Sequence, residues 1–273
     1  MTQSTASTPD IKARHRAIWA LGDYPAVATE VIADLGPALV TACAIRRGDR
    51  VLDVAAGSGN AAIPAALSGA EVVASDLTPA LLEAGKELAD QRAASLTWRE
   101  ADAEALPFTE DEFDVVMSCV GVMFAPDHQA SADELVRVVR PGGTIGLISW
   151  TPEGFIGQLF ATMKPFAPAP PAGSQPPPLW GDEDHVRKLF GGRVSDVDAR
   201  KEVLSVDRFA TPEDFKDFFK LCYGPTIAVY QSLAHEPART EELDRGLVEL
   251  GRRHQGGDGT MDWEYLLLTA RPR

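Results

Sequence analysis

Residues 50–60, with the sequence RVLDVAAGSGN, constrain the fold of this chain more than any other segment. An apolar run at residues 51–56 ends in a turn that contains Gly57 and Gly59, and small helix-compatible residues follow at 61–67. A glycine has no Cβ, so it can adopt a positive φ and lets a ligand approach the backbone closely. The free N–H groups in the first turn of a helix favour a polar or anionic ligand group. The segment therefore predicts a strand, a tight turn and a helix that begins at a ligand site.

Two kinds of ligand site are compatible with this turn. A dinucleotide-binding fingerprint has the pattern G-x-G-x-x-G/A after a strand, with an acidic residue about 20 positions later. Residues 57–62 fit that pattern, and Asp76 follows at about that distance. However, Asp53 lies at the end of the predicted strand, where its carboxylate would repel a pyrophosphate and attract an ammonium or sulfonium group. This acid therefore favours a positively charged ligand over a dinucleotide.

The segment from Asp53 to Asn60 resembles motif I of the class I S-adenosylmethionine-dependent methyltransferases. It is most similar to the small-molecule branch related to ubiquinone and menaquinone biosynthesis, with its methyltransferase type 11-like domains. The motif usually reads D/E-x-G-x-G-x-G/N, and this chain departs from it at the first glycine, which is Ala55. We expect the added methyl group to narrow the approach to the methionine part of the cofactor without abolishing binding. The resemblance covers residues 10–150 and fades beyond them.

The resemblance implies a site for S-adenosyl-L-methionine at the ends of successive strands. Asp76, at the end of the second strand, would accept hydrogen bonds from both ribose hydroxyls, and a helix-capping aspartate is the structural alternative. Asp102 would accept from the exocyclic amine of adenine and the N–H of Ala103 would meet a ring nitrogen, unless this segment is only a solvated acidic loop. The full set of expected cofactor contacts is Trp19, Tyr24, Asp53, Ala55, Gly57, Gly59, Asn60, Asp76, Leu77, Asp102, Ala103, Glu104, Ser118 and Val120.

The pattern of apolar runs predicts an α/β fold. Strands are expected at residues 51–56, 70–76, 96–100, 113–120, 144–150, 201–209 and 261–269. The run at 113–120 is apolar throughout, as a central parallel strand should be. The resembled family has a Rossmann-like seven-stranded sheet, mostly parallel with the last strand antiparallel, and helices on both faces. We therefore expect that sheet together with N-terminal helices and an inserted helical and proline-rich cap.

Four parts of the chain are expected to differ in role. Residues 1–9 are polar and predict a disordered tail. Residues 10–45 have apolar residues at helical spacing, with a turn between two helices at 22–25, and by resemblance cover the cofactor site. Residues 46–150 would form the cofactor-binding core, and residues 151–273 would complete the sheet and form the acceptor pocket. Within that last part, the prolines of residues 165–178 predict a mobile lid or a surface excursion.

Fewer sequence signals point to catalytic and acceptor-binding residues. His128 lies near the predicted carboxyl edge of the sheet and is the candidate general base, although a histidine at a helix start more often bonds the backbone. Methyl transfer from a sulfonium needs mainly in-line positioning, so a dedicated base is not obligatory. Trp19 fits a seal between helix and sheet as well as a cofactor contact. The residues expected to contact the acceptor are Met123, Trp180, Tyr223 and Tyr230, of which the aromatic ones fit core positions equally well.

Charge and cysteine content limit the partners. The formal net charge is −14, which argues against binding a nucleic-acid backbone because such sites need clustered Lys and Arg. Cys43, Cys119 and Cys222 are widely spaced and odd in number, so they fit neither a disulfide framework nor a metal site. No apolar run approaches the roughly 20 residues that a membrane span needs, and no signal peptide is recognisable. We expect a cytoplasmic monomer or homodimer.

The sequence thus predicts an enzyme that moves a methyl group from S-adenosyl-L-methionine to a small molecule. The acceptor atom would be an oxygen, nitrogen or carbon of an apolar or aromatic compound, attacked by in-line displacement. Residues 118–122, SCVGV, lack the signature of amide methyltransferases and so favour a small-molecule acceptor. Two alternatives stay open: a non-catalytic S-adenosylmethionine-binding protein, and an NAD-dependent oxidoreductase. Asp53 and the lack of an identifiable catalytic Tyr/Lys pair disfavour the oxidoreductase.

Overall fold

A seven-stranded sheet forms the centre of the computed structural model, which describes residues 8–171 and 173–273. Its strand order is β3-β2-β1-β4-β5-β7-β6. The strands are β1 (Arg50–Val54), β2 (Glu71–Asp76), β3 (Thr97–Glu100), β4 (Phe113–Cys119), β5 (Val139–Trp150), β6 (Val194–Val206) and β7 (Met261–Pro272).

Strands β1 to β5 pair in parallel, whereas β7 runs antiparallel to both of its neighbours, β5 and β6. The predicted Rossmann-like sheet is therefore confirmed, and the last strand of the chain is the antiparallel one. The chain passes from β1 outward to β3 and then returns to place β4 on the other side of β1. Such a change of direction opens a crevice at the carboxyl ends of the two central strands, which is where ligands bind in sheets of this kind.

Eleven α-helices surround the sheet in the described residues. They are α1 (Thr8–Trp19), α2 (Tyr24–Glu30), α3 (Leu35–Ala42), α4 (Ala62–Leu67), α5 (Pro79–Gln91), α6 (His128–Val138), α7 (Phe155–Met163), α8 (Glu183–Phe190), α9 (Pro212–Cys222), α10 (Gly224–Ser232) and α11 (Pro237–His254). Residues 1–7, most of the predicted tail, lie outside the described residues, and α1 begins at Thr8.

The N-terminal segment forms three helices where the apolar spacing predicts two. The side chain of Asp23 accepts the N–H of Ala26 and begins α2, and a further turn separates α2 from α3. The N–H of Asp23 donates to the carbonyl of Cys222, so the connection between α1 and α2 rests on the end of α9. The C-terminal half of the chain thereby fixes the helices that cover the carboxyl edge of the sheet.

Other differences from the predicted boundaries have local causes. Helix α6 ends at Val138 and β5 begins at Val139, earlier than the predicted start at residue 144. Residues 140–143, RPGG, therefore lie inside the strand, which is irregular where it pairs with Phe113 and Val115. Strand β6 begins at Val194, earlier than the predicted start at residue 201. Its first half is polar and partly exposed at the edge of the sheet, so it lacks the apolar pattern from which a strand is predicted. Helices α7 and α10 were not predicted.

Residues 165–171 and 173–178 follow the surface between α7 and α8, with 3₁₀ turns at Lys164–Phe166 and Pro177–Gly181. Gln175 holds this segment to the rest of the fold, because its N–H donates to the carbonyl of Pro126 and its side-chain oxygen accepts the N–H of His128. This agrees with the expected surface excursion.

None of the helices in the described ranges is by itself long and apolar enough to cross a membrane. Helices α2 and α3 meet the length and composition limits only as a pair, and they are bent by 68° relative to each other.

Candidate functional site

A cleft lies at the carboxyl ends of β1, β2 and β4, and the space between its walls, counted out into the open solvent, is about 770 Å³. Helix α1 and the start of α2 form its roof. The lining residues are Lys12, His15, Trp19, Tyr24, Ala55, Ala56, Gly57, Asn60, Asp76, Leu77, Thr78, Leu81, Ala101, Asp102, Ala103, Cys119, Val120, Gly121, Phe124, Ala125 and Pro126.

Two residues with a strained backbone lie where β1 and β4 enter the cleft. Ala55 and Val120, which follow these strands, have φ of 54° and 46°, a region that side chains with a Cβ rarely adopt. Gly121 brings the two loops together, because a Cβ at this position would lie 2.1 Å from the carbonyl oxygen of Ala55. Strain of this kind persists only where the surrounding structure enforces it, and it is frequent at ligand sites.

Gly57 forms the floor of the cleft beneath the ring of Tyr24. It has a φ of 56°, and a Cβ added to it would lie 3.2 Å from Cε1 of Tyr24. The turn therefore needs glycine both for its conformation and for the space under the ring. Gly59 also has a positive φ but faces away from the cleft, toward the side chains of Trp98 and Ile63.

Asp76 connects the end of β2 to the glycine turn. Its Oδ2 accepts the N–H of Gly57 at 2.9 Å and its Oδ1 accepts the N–H of Thr78 at 2.7 Å. Burial raises the pKa of this carboxyl, while the two N–H groups act in the opposite direction. A carboxylate oxygen has more than one acceptor site, so both oxygens can still accept from ligand hydroxyls.

Asp53 lies beneath the cleft floor rather than in the lining. It is 1% exposed, and neither carboxylate oxygen has a hydrogen-bond partner among the described residues. Burial raises the pKa of Asp53 to about 8, with the nearby N–H of Ala62 acting in the opposite direction and Asp76 adding to the rise. An acid in this condition is costly to keep charged, and a cation placed above it would favour its ionised form.

An ion network closes one end of the cleft. Lys12, on α1, has its Nζ 2.9 Å from Oδ1 of Asp102 and 2.5 Å from Oε2 of Glu104. Asp102 Oδ1 also accepts the backbone N–H of Glu104. His15 lies one helical turn after Lys12, and burial followed by the charge of Lys12 lowers its pKa.

Aromatic rings close the other end. The ring of Trp19 is in edge contact with Tyr24, Phe124 and Tyr223, at centroid distances of 5.5, 4.7 and 5.8 Å. Of these, Tyr223 lies behind Trp19 and outside the cleft lining. This end of the cleft is therefore apolar and aromatic, whereas the end at Lys12 is charged.

The structure brings ten of the predicted cofactor contacts into the cleft lining, from Trp19 to Val120. Asp53, Gly59, Glu104 and Ser118 do not line it. Ser118 is fully buried, donates to the carbonyl of Val54 and accepts the N–H of Val122, so it supports the ends of β1 and β4 from below.

The predicted acceptor contacts lie outside the cleft. Met123 and Trp180 are buried in the core, at 0% and 1% exposure. Tyr230 donates its hydroxyl to Oδ1 of Asp244 on α11, in the helical layer that α9 to α11 form. Tyr223 lies behind Trp19, with its ring against the indole, and does not line the cleft. A large aromatic residue can fill the core as readily as it can form the wall of a pocket. Trp180, Tyr223 and Tyr230 pack within the fold and do not form the wall of the cleft.

His128 is also placed away from the cleft. It is fully buried at the start of α6, its Nδ1 is 3.0 Å from Nε2 of His185, and burial lowers its pKa to about 4. Its backbone N–H donates to Gln175. The geometry therefore gives His128 a structural position and does not bring it to a reacting group.

Lys12 and His15 line the cleft although the sequence analysis did not select them. The spacing of Lys12, His15 and Trp19 along α1 is the signal that was available, because residues separated by three, four or seven positions share one face of a helix. The sequence of α1 does not reveal which part of the fold the helix covers, so it does not show which of its faces lines the cleft.

Three comparisons relate this chain to known proteins. The model of a methyltransferase domain matches residues 52–147. An uncharacterized protein of Mycobacterium tuberculosis is 53% identical over 100% of both chains. The ubiquinone/menaquinone biosynthesis C-methyltransferase UbiE of Zymomonas mobilis is 30% identical over 64% of this chain and 66% of its own length. The crystal structure of the YcgJ protein of Bacillus subtilis is 17% identical, covers 88% of this chain and 98% of its own with a TM-score of 0.63, and so shares the fold.

Proposed function

Because this chain is a class I S-adenosylmethionine-dependent methyltransferase of the branch related to ubiquinone and menaquinone biosynthesis, we propose that its cleft moves a methyl group to a small apolar or aromatic acceptor. The domain match and the relatives favour this activity over the two alternatives from the sequence, the NAD-dependent oxidoreductase and the non-catalytic binding protein.

The observation that carries the proposal is the meeting of the glycine turn, Asp76 and Asp102 in one cleft. These groups fit S-adenosyl-L-methionine by their chemistry. The fixed carboxylate of Asp76 suits two ribose hydroxyls, Asp102 suits an amine, and the unpartnered acid Asp53 below the floor suits a positive charge above it. Gly57 leaves the backbone open to the methionine part.

The same acids disfavour a dinucleotide. A pyrophosphate at the glycine turn would lie above Asp53 and beside Asp76, and like charges in a poorly solvated site repel strongly. Among the residues that line the cleft, Lys12 is the cation, and it is already paired with Asp102 and Glu104. The balance of charge therefore fits a ligand that is neutral or positive at this position.

We place the acceptor at the aromatic end, near Trp19, Tyr24 and Phe124. When bound, S-adenosyl-L-methionine supplies an activated methyl group, so the protein has mainly to align the nucleophile and exclude water. Burial raises the pKa of Tyr24 and of Cys119, which keeps both protonated near neutral pH and unsuited to act as bases. We therefore expect in-line transfer in which the acceptor provides its own unprotonated nucleophile.

This end of the cleft also argues for a small-molecule partner. Its rings and the small residues Gly121, Ala125 and Pro126 offer apolar contact, whereas a nucleic-acid backbone would require free Lys and Arg side chains. A monomeric or homodimeric state and a cytoplasmic location stay predictions.

Calorimetric titration with S-adenosylmethionine, S-adenosylhomocysteine and NAD tests the cofactor directly. We expect dissociation constants in the micromolar range for the first two and no heat with NAD. Binding of NAD alone would overturn the proposal. Methyl transfer is then tested by incubating the enzyme with cofactor labelled in the methyl group and a panel of phenols, amines and enolisable carbonyl compounds.

Asp76→Ala should weaken S-adenosylhomocysteine binding by about 30- to 100-fold, because hydrogen bonds to a charged acceptor contribute roughly 1.5–3 kcal/mol. Titration calorimetry of the folded variant measures this. Asp258→Ala is the matched control, since Asp258 is an aspartate that accepts the N–H of a threonine two residues later in an exposed turn. Equal affinities of the two variants would remove Asp76 from the ribose site.

A further inference from the structure

Lys12 occupies a position that links the roof of the cleft to both of its sides. It extends from α1, its side chain is 15% exposed, and its ammonium group lies between Asp102 and Glu104. These acids belong to the loop after β3. The contact joins segments 90 residues apart in the chain, so it exists only when α1 covers the cleft.

Glu104 extends this link to the opposite side. Its Oε2 meets Lys12, while its Oε1 accepts the backbone N–H of Asp127 in the loop after β4. That loop continues from Ala125 and Pro126, which line the cleft. One carboxylate therefore joins the roof helix, the loop after β3 and the loop after β4.

The two oxygens of Asp102 are used differently. Oδ1 accepts both the ammonium group of Lys12 and the N–H of Glu104, whereas Oδ2 has no hydrogen bond within the described parts of the chain. A carboxylate held through one oxygen has a fixed plane, so its other oxygen presents acceptor sites in a defined direction. Asp102 lines the cleft, so that free oxygen is available to a ligand there.

We propose that Lys12 is a positioning residue for adenine recognition, which fixes Asp102 for the exocyclic amine and holds the roof helix closed over the bound cofactor. The inference rests on the proposed function, because it assumes that the adenine end of S-adenosylmethionine lies at Asp102. Opening the roof for cofactor exchange requires breaking the contacts of Lys12 with both acids. The residue thereby couples base recognition to the lifetime of the closed cleft.

The test compares two ligands in the full-length protein. S-adenosylhomocysteine carries the amine, and S-inosylhomocysteine carries a carbonyl oxygen in its place, which would face the carboxylate of Asp102. We expect the wild-type protein to prefer the adenine compound by about tenfold or more, since a donor is replaced by a second acceptor. Lys12→Met should weaken binding of S-adenosylhomocysteine about tenfold and accelerate its dissociation. It should weaken binding of the inosine compound by a clearly smaller factor, because that ligand loses only the closed roof and not an oriented contact with Asp102.

Three further variants sharpen the comparison. Arg14→Met is the matched control, because Arg14 lies on the same helix with an exposed side chain. It should leave both affinities unchanged. Lys12→Arg should restore most of the discrimination. Glu104→Gln should repeat part of the effect of Lys12→Met, because it removes the charge that faces Lys12 but keeps an oxygen for the N–H of Asp127.

The outcomes separate this inference from the proposed function. Equal weakening of both ligands by Lys12→Met, or an unchanged preference for adenine, would overturn the positioning role while leaving the methyltransferase intact. Absence of S-adenosylhomocysteine binding to the wild-type protein would instead remove the proposed function and, with it, this inference. Thermal unfolding of each variant verifies that the proteins compared are folded.

Discussion

Two regions of the molecule differ in how well their local structure is stabilised: the ends of β1 and β4 at the cleft, and the aromatic core of the C-terminal half. At the cleft, Ala55 and Val120 have positive φ, and the buried Asp53 has no partner among the described residues. In the C-terminal core, Phe155 stacks on Trp263 at 4.9 Å and 11°, and both are almost fully buried. The strained backbone and the unpartnered acid of the first region lower the stability of the fold, and they lie at the proposed ligand site. The packed rings of the second region raise the stability and lie away from the cleft.

The C-terminal core combines dense aromatic packing with a well-capped helix. Phe209, Phe215 and Phe219 surround the Trp263 and Phe155 pair. Helix α9, which carries two of these rings, begins with a capping box in which Thr211 and Asp214 bond each other's backbone. Good packing and good local structure coincide here, as expected for a region whose task is to hold the fold.

Trp263→Ala should have the largest effect on stability, a loss of about 3–5 kcal/mol, because it removes a large buried ring and leaves a cavity. Urea unfolding followed by circular dichroism measures it. The affinity of the folded fraction for S-adenosylhomocysteine should not change, since Trp263 does not line the cleft.

Trp263→Phe is the control for this prediction. It keeps a ring against Phe155 and removes an indole N–H that is buried and has no partner among the described residues. We expect a clearly smaller destabilisation than for alanine, because the ring that remains leaves a smaller cavity. If the alanine and phenylalanine variants were equally stable, the core would not carry the stability assigned to it.

Asp53→Asn should stabilise the protein while impairing cofactor binding. The pKa of this carboxyl is 3.8 in the reference state and about 8 in the fold, so the folded protein retains a proton that the unfolded chain loses. Between these values the free energy of unfolding of the wild type falls as pH rises. Asparagine has no such titration, so its advantage should be absent near pH 4 and should reach about 2–3 kcal/mol at pH 8, on the order expected for buried acids.

Asp34→Asn is the matched control, because Asp34 is exposed at the start of α3 and makes no side-chain cap. Melting temperatures of both variants and the wild type between pH 4 and 8 decide the question. A difference between Asp53→Asn and wild type that does not grow with pH would show that the acid is solvated or paired in the fold.

The same contrast explains what could be predicted from the sequence. The strand, turn and helix around Gly57 follow from local patterns: an apolar run, a turn that needs a positive φ, and small residues after it. The acids Asp76 and Asp102 follow from their places at the ends of predicted strands. The structure puts all three in one cleft, although the individual contacts with the cofactor stay predictions.

The remaining errors arise where the outcome depends on contacts between distant segments. Trp180 and Tyr230 were assigned to a pocket because they are aromatic, but residue type does not distinguish a pocket wall from a core position. His128 was selected for its place after β4, but its neighbour His185 lies 57 residues away in the chain, so the contact between the two rings could not be inferred. Lys12 was missed because its partner Asp102 is 90 residues away.

Ala55→Gly should have the smallest effect on stability. It restores the first glycine of the family motif, which is the position where this chain departs from that motif. Glycine relieves the strain of a positive φ, about 1 kcal/mol, but loses about 0.5–1 kcal/mol through the greater freedom of the unfolded chain. The stability should therefore change by less than about 0.5 kcal/mol.

Ala93→Gly is the matched control, because Ala93 has the same φ of 54° but is exposed after α5 and far in sequence from the cleft loops. Both variants should unfold alike, whereas only Ala55→Gly should bind S-adenosylhomocysteine more tightly, by about threefold, because a methyl group is removed from the cleft floor. Calorimetric affinities that match in the two variants would show that the methyl group of Ala55 does not limit the ligand's approach, and that its positive φ is a requirement of the turn alone.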